Sequence, residues 1–196
     1  MKKKLTLREI APYLPYGLKA KLSQEGVFNL DSEYRNEYAY RICTITDFTT
    51  YSKDLGGSMK VDKTKDYRFD FDSLSEIEII LRPLSDITKE IEHNGEKFVP
   101  IIEMAKLYAS TNDVEAIKGA VTNFHYFKCY YSKSDYQILI INDSLRGWFS
   151  YYFNDDEPNC GVNIVNEWEV RDKLFEWHFD VFNLRENDLC IYYNEL

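Results

Sequence analysis

In three stretches between residues 34 and 82 apolar side chains recur at every second position. In "EYAYRICTIT", Tyr38, Tyr40 and Ile42 alternate with Ala39, Arg41 and Cys43. In "DYRFDFD", Tyr67, Phe69 and Phe71 alternate with Arg68, Asp70 and Asp72. In "SEIEIILRP", Ile77 and Ile79 alternate with Glu76 and Glu78. Successive side chains of a strand point to opposite faces, so this rhythm predicts half-buried antiparallel strands. "DLGGSM" between them reads as a turn or loose loop, and Pro83 ends the last strand or marks an edge. Upstream, Thr6 and Glu9 have the spacing of a capping box, so a short helical turn starts at Thr6. Pro12 and Pro15 push Ala11 and Leu14 toward extended conformations, and the chain turns near Gly17.

After Pro83 the rhythm changes. Ser85 is an N-cap, and Leu84, Ile87 and Ile91 have helical spacing, which predicts a short helix over 85–92. Asn94-Gly95 is a turn, followed by a short strand through Phe98 and Val99; a hairpin centred on Asn94-Gly95 is the alternative. Residues 100–109 and 112–121 read as two helices, the second capped by Asn112 or Asp113. Strands over 124–131 and 136–141 flank a turn at Ser132–Asp135, "LRGWFSYYFN" adds a third strand, and "NDDEPNCG" is a loop.

"LFEWHFDVF", residues 174–182, presents Glu176, His178 and Asp180 at alternate positions. On a strand they would share one face, as a metal or acid/base triad does. A wider window reads otherwise. From an N-cap at Asn166, Val170, Leu174, Trp177 and Val181 form one helical stripe, widened by Trp168, Phe175, His178, Phe179 and Phe182. Glu169, Asp172, Lys173, Glu176 and Asp180 gather on the opposite, wet arc. The expectation is a long amphipathic helix over 168–182, stopped at Asn183 and Leu184. His178 then belongs to the apolar arc and the triad dissolves. "DLCIYYNEL" follows as a terminal strand.

The expected fold is α+β. It has an antiparallel β-sheet, several short helices, and one long amphipathic C-terminal helix followed by a terminal strand. A single domain over 1–196 is the main reading. A subdivision into a β-rich part, 1–84, and an α+β part, 85–196, is the other.

Composition narrows the classes of function. The chain has 196 residues, 44% hydrophobic and 29% charged, with 16 Tyr and 12 Phe. That is ordinary globular composition, rich in residues that favour strands and half-buried surfaces. The net charge is −9, which disfavours nucleic-acid binding, since a phosphate backbone is repelled. The dense basic run Lys2–Lys4 reads as a solvated tail. No window approaches the apolar length of a membrane span, and no signal peptide is recognised. Cys43, Cys129, Cys160 and Cys190 form no C-x-x-C pair, so the thiols are expected reduced, in a cytoplasmic protein.

The candidate chemistry is sparse. His125 and Cys129, four apart on a strand, are separated by about 13 Å and cannot share a zinc ion. The acidic stretches "DFDSLSEIE" and "NDDEPNCG" lack calcium-loop spacing. Gly56-Gly57 lacks a phosphate-loop pattern, and no nucleophile elbow occurs. No catalytic residue, metal ligand or cofactor is therefore assigned, and the enzyme question leans to no. The surplus of aromatics, a residue class enriched at interfaces, is the positive signal. Tyr126, Tyr130, Tyr131, Trp148, Tyr151, Tyr152 and Phe153 are the candidate binding residues. Each taken singly also reads as a core or strand residue.

Three quoted segments carry a resemblance. "LTLREIAPYLPYGLK", "ILRPLSDITKEIEHNGEKFVPI" and "LFEWHFDVFNLRENDLCI" together resemble a family of uncharacterised proteins carried by phages and prophages of gut Bacteroidales. They cover under a third of the chain. Residues of roughly 27–78 and 110–165 look variable beside them. The resemblance brings no activity; it implies a phage-borne accessory protein in the cytoplasm of the bacterial host. The expected function is a non-enzymatic protein-binding module acting on a host or phage protein, without nucleic acid or membrane as partner. One alternative is a nucleotide-type ligand binder or sponge, with aromatics stacking beside Arg41, Arg68, Arg82 or Arg146. Another is an enzyme whose site is assembled from distant residues.

Overall fold

The structure is a computed structural model, and it describes residues 5–29, 39, 41–51, 54–61, 68–71, 73–118, 124–132, 135–142, 148–154, 157–159 and 167–196. The fold is α+β. Among the described residues the helices are α1 (Leu7–Ile10), α2 (Gln24–Asn29), α3 (Pro100–Ala109) and α4 (Glu167–Glu176). The strands are β1 (Lys19–Leu22), β2 (Cys43–Tyr51), β3 (Asp54–Val61), β4 (Arg68–Phe71), β5 (Ile77–Leu81), β6 (Ile91–His93), β7 (Glu96–Phe98), β8 (Val114–Ile117), β9 (Phe124–Tyr130), β10 (Tyr136–Asn142), β11 (Trp148–Asn154), β12 (Glu157–Asn159) and β13 (Cys190–Tyr192). The chain divides into two compact units: Met1–Leu84 with Leu174–Leu196, and Ser85–Lys173.

The first unit is built on a six-stranded sheet in the order β13-β5-β1-β2-β3-β4. Its pairs are antiparallel except β13 with β5, so the sheet is mixed rather than purely antiparallel as expected. Cys43, Ala20, Ile79 and Cys190 stand opposite one another across four strands, and all are buried. Ile10, Tyr13, Leu18, Leu22, Ile45, Met59, Phe71, Ile77, Leu81 and Leu184 complete this core. Each such side chain contributes roughly 1.5–3 kcal/mol when fully buried. The intervening positions are mixed: Lys19 faces Thr44, with Nζ donating to its Oγ1 at 2.6 Å, and Lys21 pairs with Glu78 at 3.4 Å, while Ile80, opposite Lys19 on β5, is buried. Ahead of β1, α1 starts as expected: Glu9 Oε2 accepts from the Thr6 N–H at 3.0 Å and its hydroxyl at 3.1 Å. Ala11 and Leu14 are not extended as expected: a 3-10 turn over Ala11–Tyr16 holds both, with Ala11 right-handed at φ −52°, and the chain turns at Gly17, whose φ is 70°.

Two further expectations in this unit are corrected. "DLGGSM" is not a loop but part of β3. Gly57 lets strand pass close to strand. A Cβ on Gly57 would sit 2.2 Å from the Asp47 carbonyl oxygen and 2.9 Å from Phe71 Cζ. The register of β2 against β3 shifts at the same place, between Ile45 and Asp47. The strand expected through Tyr38–Cys43 begins only at Cys43, while residues 30–38 and 40 lie outside the described ones.

The second unit holds a five-stranded sheet, β12-β11-β10-β9-β8, and the separate hairpin β6-β7. The helix expected over 85–92 is instead a 3-10 turn, Leu84–Thr88, and the hairpin alternative is the one found. Asn94 and Gly95 both have positive φ, 52° and 86°, which a two-residue hairpin turn of this kind requires. α3 begins at Pro100 and stops at Ser110, left-handed with φ 52°. Where a helix over 112–121 is expected, the described part holds β8, while residues 119–121 lie outside the described ones. Here tertiary pairing overrides local preference: the Tyr130 N–H donates to Asp113 O at 2.9 Å and Thr111 Oγ1 donates to Tyr130 O at 2.8 Å. Part of the expected loop "NDDEPNCG" pairs as β12 against the end of β11.

α4 crosses from the second unit into the first and ends at Glu176, well short of the expected 182. His178 is left-handed, with φ 60°. Its N–H bonds Phe175 O at 3.0 Å, and the Phe179 N–H bonds Leu174 O at 2.8 Å. This is the paired closure that terminates a helix at a left-handed residue. Phe179 then lies beside Arg82 in a parallel bridge. The terminal strand expected over "DLCIYYNEL" is three residues long, Cys190–Tyr192.

The close approach at Gly57 gives the first prediction. Gly57→Ala forces the β2 backbone away and costs about 1–3 kcal/mol, read as a lower urea midpoint at unchanged slope. A midpoint within error of wild type would show that β2 and β3 tolerate a side chain there.

Candidate functional site

The residues that looked like a triad are in the first unit, and they are mostly buried. His178 is 2% and Asp180 3% exposed. Asp180 is thus not on a wet helical face, because the helix has already ended. Its carboxylate is a hub for donors. Oδ1 accepts the Leu184 N–H at 2.7 Å, and Oδ2 accepts the Arg185 N–H at 3.0 Å. Oδ2 also accepts from Cys190 Sγ at 3.7 Å and from the Tyr192 hydroxyl at 3.3 Å. A second buried hydroxyl spans the same segment: Tyr13 donates to Phe179 O at 2.8 Å and accepts from the Val181 N–H at 3.3 Å. His178 Nε2 lies 3.1 Å from Tyr16 O. Two neighbouring backbone bonds, Arg82 N–H to His178 O at 2.7 Å and Asp180 N–H to Arg82 O at 2.8 Å, fix the segment to the end of β5.

This cluster does structural chemistry. Burial, with the Asp180 charge adding to it, pushes the Tyr13 hydroxyl and the Cys190 thiol well above their ordinary values. The same two causes push Tyr192 up to about 12. All three stay protonated near neutral pH and serve as donors or packing groups rather than as bases or nucleophiles. In the second unit burial pushes the Cys129 thiol up to about 11. Among the described residues no group of three or more His, Cys, Asp and Glu side chains is placed to hold a metal ion. No helix among them is long and apolar enough to cross a membrane.

The surface that collects exposed aromatic chemistry is one face of the five-stranded sheet. α3 lies against β8, β9 and β10, and these strands bury Phe127, Cys129 and Leu139. The covered face is therefore the one carrying those residues. Alternation sends Tyr126, Lys128 and Tyr130 of β9 to the other side. There Tyr130 stands opposite Tyr136, Lys128 opposite Ile138 and Tyr126 opposite Ile140. On β8, Glu115 stands opposite Lys128 and Ile117 opposite Tyr126. Tyr126, Lys128, Tyr130, Tyr136, Ile138 and Ile140 are all half-exposed.

The polar groups on this face form one small network. Lys128 Nζ is 3.9 Å from the centre of the Tyr136 ring and 4.9 Å from that of Tyr130. The two rings are 6.2 Å apart at 49°. The Tyr130 hydroxyl donates to Glu115 Oε2 at 3.1 Å.

Of the seven aromatics picked from the sequence, Tyr126 and Tyr130 come together on this face. Tyr131 follows the end of β9, 43% exposed, and its hydroxyl donates to Gln137 Oε1 at 2.7 Å. Trp148, Tyr151, Tyr152 and Phe153 lie on β11, where the backbone register sets Tyr151 opposite Ile138 and Phe153 opposite Tyr136. Their side chains are outside the described part. Sequence reasoning missed Tyr136, Lys128, Glu115, Ile138 and Ile140. The signal was present in the two-residue alternation of β9 and β10, had polar and aliphatic positions been counted with the aromatics. Of the arginines considered for a nucleotide-type ligand, Arg82 stacks its guanidinium 4.4 Å above Tyr193, in the first unit. Arg41 belongs to that unit too, the Arg68 side chain is outside the described part, and so is all of Arg146. No protein-family model, curated protein or solved structure matches the chain.

Two outcomes follow from the buried groups. Asp180→Ala leaves two backbone N–H groups and a hydroxyl without their acceptor and lowers stability by about 3 kcal/mol in urea unfolding; a loss under about 0.5 kcal/mol would refute the hub. The thiols set a pH dependence. Cys129 holds its proton up to about 11 when folded, against 9.0 ordinarily, so above pH 9 the unfolded chain binds fewer protons than the folded one. Their contribution is therefore full below pH 9 and declines as pH rises toward 11. Urea unfolding across that range checks the slope, and Cys129→Ala should make it shallower, leaving the part that Cys190 contributes.

Proposed function

We propose that this protein is a non-enzymatic protein-binding module that docks on its partner through the half-exposed face of the five-stranded sheet. In this reading it is a phage-borne accessory protein, and the partner is a host or phage protein in the bacterial cytoplasm. The observation that carries the reading is the face itself. Tyr126, Tyr130, Tyr136, Ile138 and Ile140 stand together on β9 and β10, half-exposed, while the same strands bury Phe127, Cys129 and Leu139 on the other side. Tyrosines give large rigid contact area at low entropic cost, and aliphatic neighbours supply a dry centre for an interface. The buried cluster around Asp180 holds its donors protonated and offers no nucleophile, which leaves the sheet face as the better candidate.

The test compares tagged wild-type protein with Ile138→Asp as baits in a Bacteroides lysate, both checked for folding by circular dichroism. The expected outcome is one protein retained at stoichiometric yield by wild type and reduced at least about tenfold with Ile138→Asp, because a buried unpaired carboxylate is costly at an interface core. Equal retention by both baits, or no specific retention by wild type, overturns the proposal.

A further inference from the structure

We infer that the partner presents an arginine to this face, and that its guanidinium takes the place now held by the protein's own Lys128 between Tyr130 and Tyr136. The inference rests on the docking reading above and adds the chemistry of the contact.

The register poses the question. Lys128 stands directly opposite Glu115, a position where opposite charges on neighbouring strands are about 5 Å apart at Cβ and readily pair. They do not pair. The ammonium turns to the two tyrosine rings, 3.9 and 4.9 Å from their centres, and Lys128 makes no ion pair with a described residue. Glu115 instead accepts the Tyr130 hydroxyl. The face thus contains two ring faces that attract a cation and, hydrogen-bonded to one of those rings, a carboxylate on an exposed residue. Lys128 satisfies the rings but not the carboxylate.

A guanidinium satisfies both. It is planar, it stacks on aromatic rings, and its remaining N–H donors match a carboxylate in a fork. An ammonium on a short tether is a point charge and does one of these at a time. Lys128 reaches the rings on a flexible stem, so it swings out without disturbing the strand. Charge favours the same occupant: the chain carries a net −9, which steers a basic segment toward it and repels an acidic one. Ile138, directly across from Lys128, and Tyr126, two residues along β9, give the aliphatic part of an arginine-bearing segment something to pack against.

The test removes the internal competitor and offers a small probe. Aromatic carbon–proton spectra of wild type and Lys128→Ala are titrated with N-acetyl-arginine methylamide and with its neutral citrulline counterpart. In Lys128→Ala the arginine probe shifts the ring signals of Tyr130 and Tyr136 and binds about fivefold tighter than to wild type. The citrulline probe moves neither ring, and adding Glu115→Gln weakens the arginine probe. Lys128→Thr, which suits a strand, provides the same reading should the alanine variant unfold. Unmoved rings in both variants, equal affinity for wild type and variant, or equal response to citrulline would each overturn the inference. Unmoved rings together with a partner lost on Ile138→Asp would overturn the arginine contact and leave the docking face standing. Ring shifts with a partner indifferent to Ile138→Asp would overturn the docking reading, and with it the claim that a partner supplies the arginine.

Discussion

The two-residue alternation of β9 and β10 is the constraint on which the second unit turns. Phe127, Cys129 and Leu139 must lie on one side of the sheet if they are to be buried with α3's Ile101, Met104 and Ala105. Once they do, Tyr126, Lys128, Tyr130, Tyr136 and Ile138 have no choice but the other side. A slip of one residue would put the Lys128 ammonium in the core and Phe127 in water. The register is therefore held by the cost of burying a charge on one side and exposing a phenyl ring on the other. The composition of the open face is a by-product of that discipline only in part. Burial dictates which positions face outward; it does not dictate that they be tyrosine and isoleucine rather than threonine, glutamate and lysine.

In the first unit an internal carboxylate has a comparable role. The chain leaves this unit after Leu84 and returns at Leu174. The returning segment brings β13, laid parallel against β5, and the loop from Trp177 to Leu184. A carboxylate as buried as Asp180 would be strongly destabilising if its oxygens lacked donors. Two backbone N–H groups, a thiol and a phenol supply them. The polar hub thus ties the closing segment to itself, as Tyr13 and Arg82 tie it to residues far earlier in the chain. A purely apolar loop would pack as well but would specify its path less sharply, because hydrophobic contact has no preferred direction.

What was legible in the sequence, and what was not, divides along the same line between local and tertiary causes. The capping box at Thr6, α3, the strands β5, β9 and β10, and the left-handed pair Asn94-Gly95 all follow from spacing or residue type within a few positions. β8 reads as a helix because Asn112 or Asp113 offers a cap, whereas its backbone partners are on β9. β3 was read as a loop because glycines usually mark turns; here Gly57 marks a close passage of backbones that only the register of β2 reveals. α4 was extended past Glu176 because Val181 and Phe182 continue the apolar stripe. The stop is a histidine in a left-handed conformation, uncommon for a residue other than glycine, and its cost is met by the Arg82 bridge and the Asp180 bonds. The candidate face was half legible. Tyr126 and Tyr130 stand out as aromatics, whereas Lys128 and Glu115 carry no mark in the sequence that sets them apart from other charged residues.

Those two charges give the face its character. An uncovered patch of tyrosine and isoleucine on a sheet invites self-association, and natural sheets blunt that hazard with charge. Lys128 supplies such a charge from the middle of the patch, and its ammonium lies over the rings instead of reaching past them to Glu115. The free protein is thereby shielded, at the expense of leaving its own carboxylate to a phenol. A partner that offers only apolar surface must expel Lys128 and leave the rings without their cation. A partner that brings a guanidinium replaces the ammonium and also gives Glu115 a charged donor. On the proposed docking reading, the arrangement would therefore discriminate by what is lost with the wrong occupant as much as by what is gained with the right one.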